Sequence, residues 1–200
     1  MKRVAVIGLM TLVVLGHSSL VAPALAAGPQ ERVAEMLDGI SGVLRDPALR
    51  ASDGEPERER RVRTIIFAAF DFEEMGKEAL RSRWSTLSPG QRQEFARLFG
   101  DLFERSYNRL VLRFLGERKT TYIAESADSN RGVVQTILES EKDERLPVEF
   151  RLTYKDARWR VVDVVLDGVS LAGNYRVQFD KIIRTSSYET LVQKMKTKAR

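Results

Sequence analysis

The feature of this sequence that most limits its fold is a change in hydrophobic spacing at Gly116. Before that glycine, apolar residues recur every three or four positions, which is the spacing that buries one stripe of a helix. From Gly116 to Leu166 they alternate with polar residues, as in strands that bury one face, and helical spacing then returns. This order predicts an α+β fold: an N-terminal helical layer packed on a curved antiparallel sheet of about four to five strands, with C-terminal covering helices.

The clearest predicted helix begins after Ser88, with Pro89 at its first position and Gln91 three residues after the cap. We expect this helix to end at Gly116. Shorter helices are predicted before it, around residues 33–44, 62–70 and 72–80. One face of the long helix is apolar along its whole length, and its members are Phe95, Leu98, Phe99, Leu102, Phe103, Tyr107, Leu110, Val111 and Phe114.

Strands are predicted over residues 120–124, 132–139, 146–155 and 158–166. The strand over 146–155 alternates apolar and polar residues, which indicates one buried and one solvated face. The strand over 158–166 has apolar residues on both sides, so we expect it near the middle of the sheet. Two helices follow: Ser170 is the predicted N-cap of one that ends near Arg184, and Ser186 and Ser187 precede the other.

The N-terminus has the pattern of an export signal. Lys2 and Arg3 precede an apolar run, and Ala24-Leu25-Ala26 forms a small-x-small cleavage site. We therefore expect residues 1–26 to be removed and the mature protein to be exported.

The rest of the chain, residues 27–200, is expected to form a single domain, with a helical part over 27–115 and the sheet and last helices over 116–200. Its basic residues are interleaved with acidic ones, and the net charge of the whole chain is only +5. Nucleic-acid binding requires basic residues clustered on one surface, so we expect no nucleic-acid partner.

The composition excludes most catalytic chemistry. There is no cysteine, and the one histidine, His17, lies inside the predicted export signal. The mature chain therefore lacks the usual zinc and copper ligands and any Ser–His or Cys–His pair. Neither a glycine-rich phosphate loop nor a nucleophile elbow is present. We expect no enzymatic activity, no catalytic residue, no metal site and no cofactor.

The strongest candidate for acid–base chemistry is Asp163, which stands in an otherwise apolar strand. Burial would raise the pKa of its carboxyl and suit it to act as an acid or a base. The alternative is that it accepts hydrogen bonds from a nearby turn or pairs with an arginine such as Arg176, as buried acids usually do. Arg176 could itself bind an anionic headgroup or form a structural ion pair.

Several motifs resemble those of one protein family. At the junction of strands and helices stand Asp163-Val164, Asp167-Gly168-Val169-Ser170-Leu171 and Asn174-Tyr175-Arg176-Val177-Gln178-Phe179. The helical half contributes Phe70-Asp71-Phe72-Glu73-Glu74-Met75, Trp84, Leu87-Ser88-Pro89-Gly90-Gln91-Arg92, Phe95 and Leu98-Phe99, and the last helix contributes Leu191-Val192 and Lys196. These segments resemble the MlaC family, also called the toluene-tolerance family, and they cover most of the mature chain.

The resemblance implies a periplasmic phospholipid carrier of Gram-negative bacteria, with acyl chains inserted between a helical layer and a strongly curved sheet. Members of the family shuttle lipid between an outer-membrane lipoprotein–porin complex and an inner-membrane ABC transporter with an MCE subunit, and so maintain outer-membrane lipid asymmetry. We expect the same partners here, and a monomer. Some relatives are encoded with hopanoid-pathway proteins, so a hopanoid or related lipid is an alternative cargo.

The lipid cavity is expected between the long helix, the strands and the helix after Ser170. The residues predicted to contact lipid are Phe95, Phe99, Leu102, Phe103, Val148, Phe150, Leu152, Val164, Tyr175 and Phe179, and Arg176 is predicted near the headgroup at the pocket mouth. Two other functions stay open: a non-catalytic envelope assembly module whose interior is fully packed, and a hydrolase that uses Asp163.

Overall fold

The computed structural model describes residues 28–50, 52–115, 119–140 and 142–198. The predicted export signal and the predicted helix end at Gly116 lie outside these ranges. The helices of the first half are α1 (Pro29–Arg45), α2 (Glu55–Ala69), α3 (Phe72–Leu80), α4 (Ser82–Ser85) and α5 (Pro89–Leu115). They are followed by β1 (Thr120–Ala127), β2 (Arg131–Glu139), β3 (Arg145–Lys155), β4 (Arg158–Leu166), β5 (Val169–Ser170), α6 (Leu171–Thr185) and α7 (Tyr188–Lys198). The order confirms the predicted α+β fold.

Side-chain caps mark where the later helices begin. Before α5, the Ser88 N–H donates to Gln91 Oε1 at 2.8 Å and the Gln91 N–H donates to Ser88 Oγ at 3.3 Å, which confirms the predicted capping box. At α6, Ser170 Oγ accepts from the Gly173 N–H at 3.0 Å, as predicted. The four-residue α4 is absent from the sequence prediction because a single turn is too short to show a hydrophobic period.

The sheet has five strands in the order β1-β2-β3-β4-β5, and each is antiparallel to its neighbours. The prediction that the fourth strand lies near the middle is wrong, because only the two-residue β5 lies beyond it. β4 is apolar on both faces because α1, α2, α3 and α6 all approach it. In the described part of the chain, the first half of β4 has no strand beyond it, and the residue before α3 covers that edge: the Asp71 N–H donates to the Val161 carbonyl at 2.8 Å.

A tight turn joins β4 to β5. Asp167 and Gly168 both have positive φ, at 48° and 80°, and two successive residues of this kind reverse a chain within a hairpin whose twist matches that of the strands. Glycine adopts this conformation without steric cost, and aspartate tolerates it. The reversal brings Ser170, at the end of β5, against Asp163 of β4.

Candidate functional site

A small apolar cavity of about 90 Å³ lies between the helices and one face of the sheet. α1 and the second half of α5 form one wall, and β2, β3 and β4 form the other. The lining residues are Met36, Leu37, Ile40, Ile66, Phe70, Phe103, Tyr107, Leu110, Val111, Phe114, Leu115, Leu138, Leu146, Val148, Phe150, Val164, Leu166 and Leu171. Tyr107 alone among these brings a polar side-chain atom, so the wall suits a hydrocarbon ligand.

The hydroxyl of Tyr107 interacts with the hydroxyl of Tyr175 inside the protein. The Tyr175 hydroxyl in turn donates to Ser106 Oγ at 3.0 Å. Burial raises the pKa of both tyrosines above the ordinary value, so both hydroxyls stay protonated at neutral pH. The cavity wall therefore carries no charge.

An ion pair bridges one edge of the cavity. Leu115 at the end of α5 and Leu146 at the start of β3 both line the cavity. Beside them, Arg113 Nε lies 2.7 Å from Glu144 Oε2, in the turn that joins β2 to β3. Hydrogen bonds from Arg113 and Ser140 lower the pKa of the Glu144 carboxyl. This exposed pair adds little stability, but it joins the helical wall to the sheet wall.

The structure divides the residues predicted to contact lipid into two groups. Those that line the cavity are Phe103, Val148, Phe150 and Val164. Those that are buried elsewhere in the core are Phe95, Phe99, Leu102, Leu152, Tyr175 and Phe179. Arg176 lies on the outer side of α6, where its Nη1 is 3.1 Å from Glu78 Oε1, and it does not line the cavity. Lipid contact by any of these residues stays a prediction.

Four residues of the second group form a packed aromatic cluster. The ring centroid of Phe99 lies 5.0 Å from that of Tyr175, 5.5 Å from that of Phe179 and 5.9 Å from that of Phe95. These separations are in the favourable range for aromatic pairs. The cluster packs the first half of α5 against α6, and the cavity lies under the second half of α5 instead.

Sequence reasoning missed most of the cavity wall. The members it did not select are Met36, Leu37, Ile40, Ile66, Phe70, Tyr107, Leu110, Val111, Phe114, Leu115, Leu138, Leu146, Leu166 and Leu171. Most of them belong to apolar stripes that the sequence does show, so their burial was predictable. Their place at a cavity was not, because a cavity wall and a packed core use the same residue types.

Asp163 is a buried hydrogen-bond acceptor. Its Oδ1 accepts from the N–H groups of Val164 at 2.9 Å and Ala172 at 3.0 Å. Ser170 Oγ donates to Oδ2 at 2.6 Å, and Arg151 Nη1 lies 3.5 Å from the same oxygen. The prediction that Asp163 accepts hydrogen bonds from a nearby turn is therefore confirmed. The arginine beside it is Arg151 and not Arg176. The Ser170 hydroxyl is engaged on both sides, as a helix cap and as a donor to this carboxylate.

Asp163→Ala is expected to lower the free energy of unfolding by about 2–4 kcal/mol, because two buried N–H groups lose their acceptor. Asp163→Asn retains an oxygen for those two groups, but it loses the charge and puts an NH2 group where the Ser170 hydroxyl has its acceptor, so we expect a smaller cost of roughly 1–2 kcal/mol. Urea unfolding measures both values. If Asp163→Asn kept its stability but abolished a hydrolytic turnover, the carboxylate would be catalytic and the structural role would be secondary.

Other kinds of site lack support in the described part of the chain. Its Asp, Glu, His and Cys side chains form no group of three that could hold a metal ion. None of its helices combines the length and the apolar character needed to cross a bilayer. The uncharged cavity is thus the feature to which a function can best be attached.

Comparison with known proteins identifies one family and one fold. The sequence model of the MlaC protein family matches residues 34–197. The intermembrane phospholipid transport system binding protein MlaC of Haemophilus influenzae is 22% identical over 142 residues, which are 69% of this chain and 66% of that protein. The solved structure of the phospholipid-binding protein from Ralstonia solanacearum, in complex with a phospholipid, has a TM-score of 0.75 and 24% identity and covers 86% of this chain and 97% of its own. At this level of identity the likeness establishes a shared fold.

Proposed function

Because the chain belongs to the MlaC family, we propose that it is a periplasmic carrier that binds the acyl chains of a phospholipid between its helices and its sheet. The observation that carries this proposal is the cavity, whose wall is apolar and uncharged. The relatives support it, since one is a binding protein of a phospholipid transport system and another was solved with a phospholipid bound.

A cavity of this composition matches the physical demand on a lipid carrier. A two-tailed lipid has roughly thirty methylenes, and exposing them to water at ~0.8 kcal/mol each costs on the order of 25 kcal/mol. A soluble carrier has to replace the contacts that the bilayer provides, and aliphatic and aromatic side chains do so. Titratable side chains would add a desolvation cost instead.

The cavity has to enlarge before it can hold such a ligand. A dry cavity of about 150 Å³ accommodates one benzene molecule. The volume here is about 90 Å³, which is too small for an acyl chain. We propose that the second half of α5 moves away from the sheet, because Leu110 and Val111 are only partly buried, whereas Phe95 and Phe99 in the first half are fully buried.

Filling the cavity tests the proposal. Val111→Trp places a large ring in the cavity wall, and we expect it to reduce uptake of fluorescent phospholipid from liposomes by about tenfold, since overlap with an acyl chain has a steep cost. Leu112→Trp is the matched control, because Leu112 follows Val111 on α5 but does not line the cavity and is 45% exposed. We expect this control to take up lipid like the unmodified protein.

Mass spectrometry of organic extracts from the purified protein is the complementary measurement. We expect phospholipid in the extract of the unmodified chain and of Leu112→Trp, and a much smaller amount with Val111→Trp. No lipid in any extract, together with no uptake from liposomes, would contradict the carrier function. A hopanoid in the extract in place of phospholipid would retain the mechanism and change the cargo.

We further propose that residues 27–200 act as one exported, monomeric domain that exchanges lipid with an inner-membrane MCE–ABC transporter complex and an outer-membrane lipoprotein–porin complex. Such a role maintains outer-membrane lipid asymmetry by binding and release, without catalysis. The mass of the protein recovered from the periplasm tests the export step, and we expect a mature chain that begins after Ala26.

A second candidate function is favoured by the small size of the cavity. An envelope assembly module of the same fold would not need to open, and about 90 Å³ is compatible with a closed interior. The cavity-filling pair separates the two functions. If the protein is an assembly module, the extracts of both the unmodified chain and Val111→Trp should contain no lipid.

A further inference from the structure

A cationic groove lies on the surface between α3, α4 and α6, outside the lining of the cavity, and we propose that it docks the protein on bilayers that contain anionic phospholipids. Its volume is about 930 Å³, and its charged lining residues are Arg81, Arg83, Arg176, Lys181, Arg184 and the single carboxylate Asp180. The inference rests on the proposed function in one respect, namely that a lipid carrier has to approach a membrane surface.

The carboxylates around the groove do not neutralise it. Glu78 accepts from Arg81 Nη2 at 3.2 Å and from Arg176 Nη1 at 3.1 Å, so one acid is shared by two guanidinium groups. Arg184 lies 3.5 Å from Asp180, and Glu189 interacts electrostatically with Arg83. Lys181 forms no ion pair with any described residue. The groove therefore keeps an excess of positive charge.

The outer face of α6 supplies most of this surface. Residues at relative positions 0, 1, 4, 5 and 8 lie on one side of a helix, and here these are Arg176, Val177, Asp180, Lys181 and Arg184. The opposite side carries the buried Tyr175 and Phe179. Val177 is 65% exposed among the basic residues. A basic helix face with an exposed aliphatic side chain suits the headgroup region of a bilayer, where guanidinium groups bind phosphate oxygens bidentately.

The composition of the groove fits a membrane better than a protein partner. Protein interfaces are enriched in aromatic residues, methionine and arginine at their centres, and the groove has the arginines but no aromatic residue or methionine that would anchor a protein partner. Each basic residue near an anionic surface strengthens partitioning about fivefold. A small excess of such residues gives weak, reversible attachment, which is what a carrier that has to leave the membrane requires.

Vesicle binding of the full mature protein tests the proposal. We expect sedimentation with vesicles of phosphatidylcholine plus phosphatidylglycerol, no sedimentation with phosphatidylcholine alone, and loss of binding as the ionic strength rises to about 1 M, where the Debye length falls to about 3 Å. Lys181→Glu combined with Arg184→Glu should weaken binding at low salt by at least about 25-fold, because two favourable charges become repulsive. Both side chains are on the surface, so the fold should be unaffected.

The matched control changes the net charge equally at a different place. Arg158→Glu combined with Arg160→Glu lies in β4 outside the groove, and we expect it to retain most vesicle binding. An equal loss in both variants, or unchanged binding in the groove variant, would overturn the proposal. Unchanged binding is also the result expected if the groove binds an acidic protein partner.

Lipid content is measured separately by mass spectrometry. If the protein contains lipid but does not bind vesicles, only the docking proposal is overturned. If it binds vesicles but contains no lipid, only the proposed carrier function is overturned.

Discussion

Cross-linking the end of α5 to the β2–β3 turn should stop lipid uptake. The natural chain contains no cysteine, so Arg113→Cys with Glu144→Cys creates the only thiol pair in the protein. A short bis-methanethiosulfonate reagent, which forms a disulfide with each cysteine and releases methanesulfinate, would then replace the native ion pair with a reducible covalent link. We expect uptake of fluorescent phospholipid from liposomes to fall by about tenfold or more, because loading depends on a conformational opening that the link prevents.

The expected recovery makes this result specific. Cleaving the link with a reducing agent should restore uptake, and the uncross-linked double variant should load like the unmodified protein, because an exposed ion pair contributes little stability.

The control for cross-linking is a second cysteine pair, Glu57→Cys with Arg60→Cys, which replaces an ion pair within α2 and does not span the cavity. The same reagent should leave uptake by this pair unchanged. If the cross-linked Arg113→Cys/Glu144→Cys variant still loaded lipid at the normal rate, loading would not require the end of α5 to separate from the β2–β3 turn.

Phe99→Ala should cause a large loss of stability with little direct effect on lipid binding. Phe99 has no exposed surface and touches the rings of Phe95, Tyr175 and Phe179. Truncating a buried phenylalanine costs about 3–5 kcal/mol. Since small proteins have about 5–15 kcal/mol in total, much of the stability would be lost. The midpoint of urea unfolding, at unchanged slope, measures the effect.

Lipid uptake by the folded fraction of Phe99→Ala then decides the role of the aromatic cluster. We expect normal uptake at low temperature, where the variant is still folded, because the cluster lies outside the cavity. Leu112→Ala on the same helix is the stability control and should change the free energy of unfolding by no more than about 0.5 kcal/mol, since Leu112 is exposed. A folded Phe99→Ala that took up no lipid would show instead that acyl chains reach the cluster, as the sequence prediction has it.

Much of the fold follows from local patterns. The capping box at Ser88, the cap at Ser170 and the alternation in β3 each involve residues close together in the chain, and the structure confirms all three. The position of β4 was not predictable in the same way. A strand with two apolar faces can lie in the middle of a sheet or beside an edge covered by helices, and the sequence is the same in both cases.

The sequence by itself determined the order of helices and strands, the lack of histidine and cysteine in the expected mature chain, and the likeness to the MlaC family. Only the tertiary structure decided that the cavity lies under the second half of α5, that Arg151 and not Arg176 approaches Asp163, and that Arg81, Arg83 and the basic residues of α6 share one groove. The spacing of apolar residues identifies which face of a helix or strand is buried, and this spacing can be read from residues a few positions apart in the sequence. Which element covers that face, and whether the packing leaves space, depends on side chains far apart in the chain, and these meet only in the folded protein.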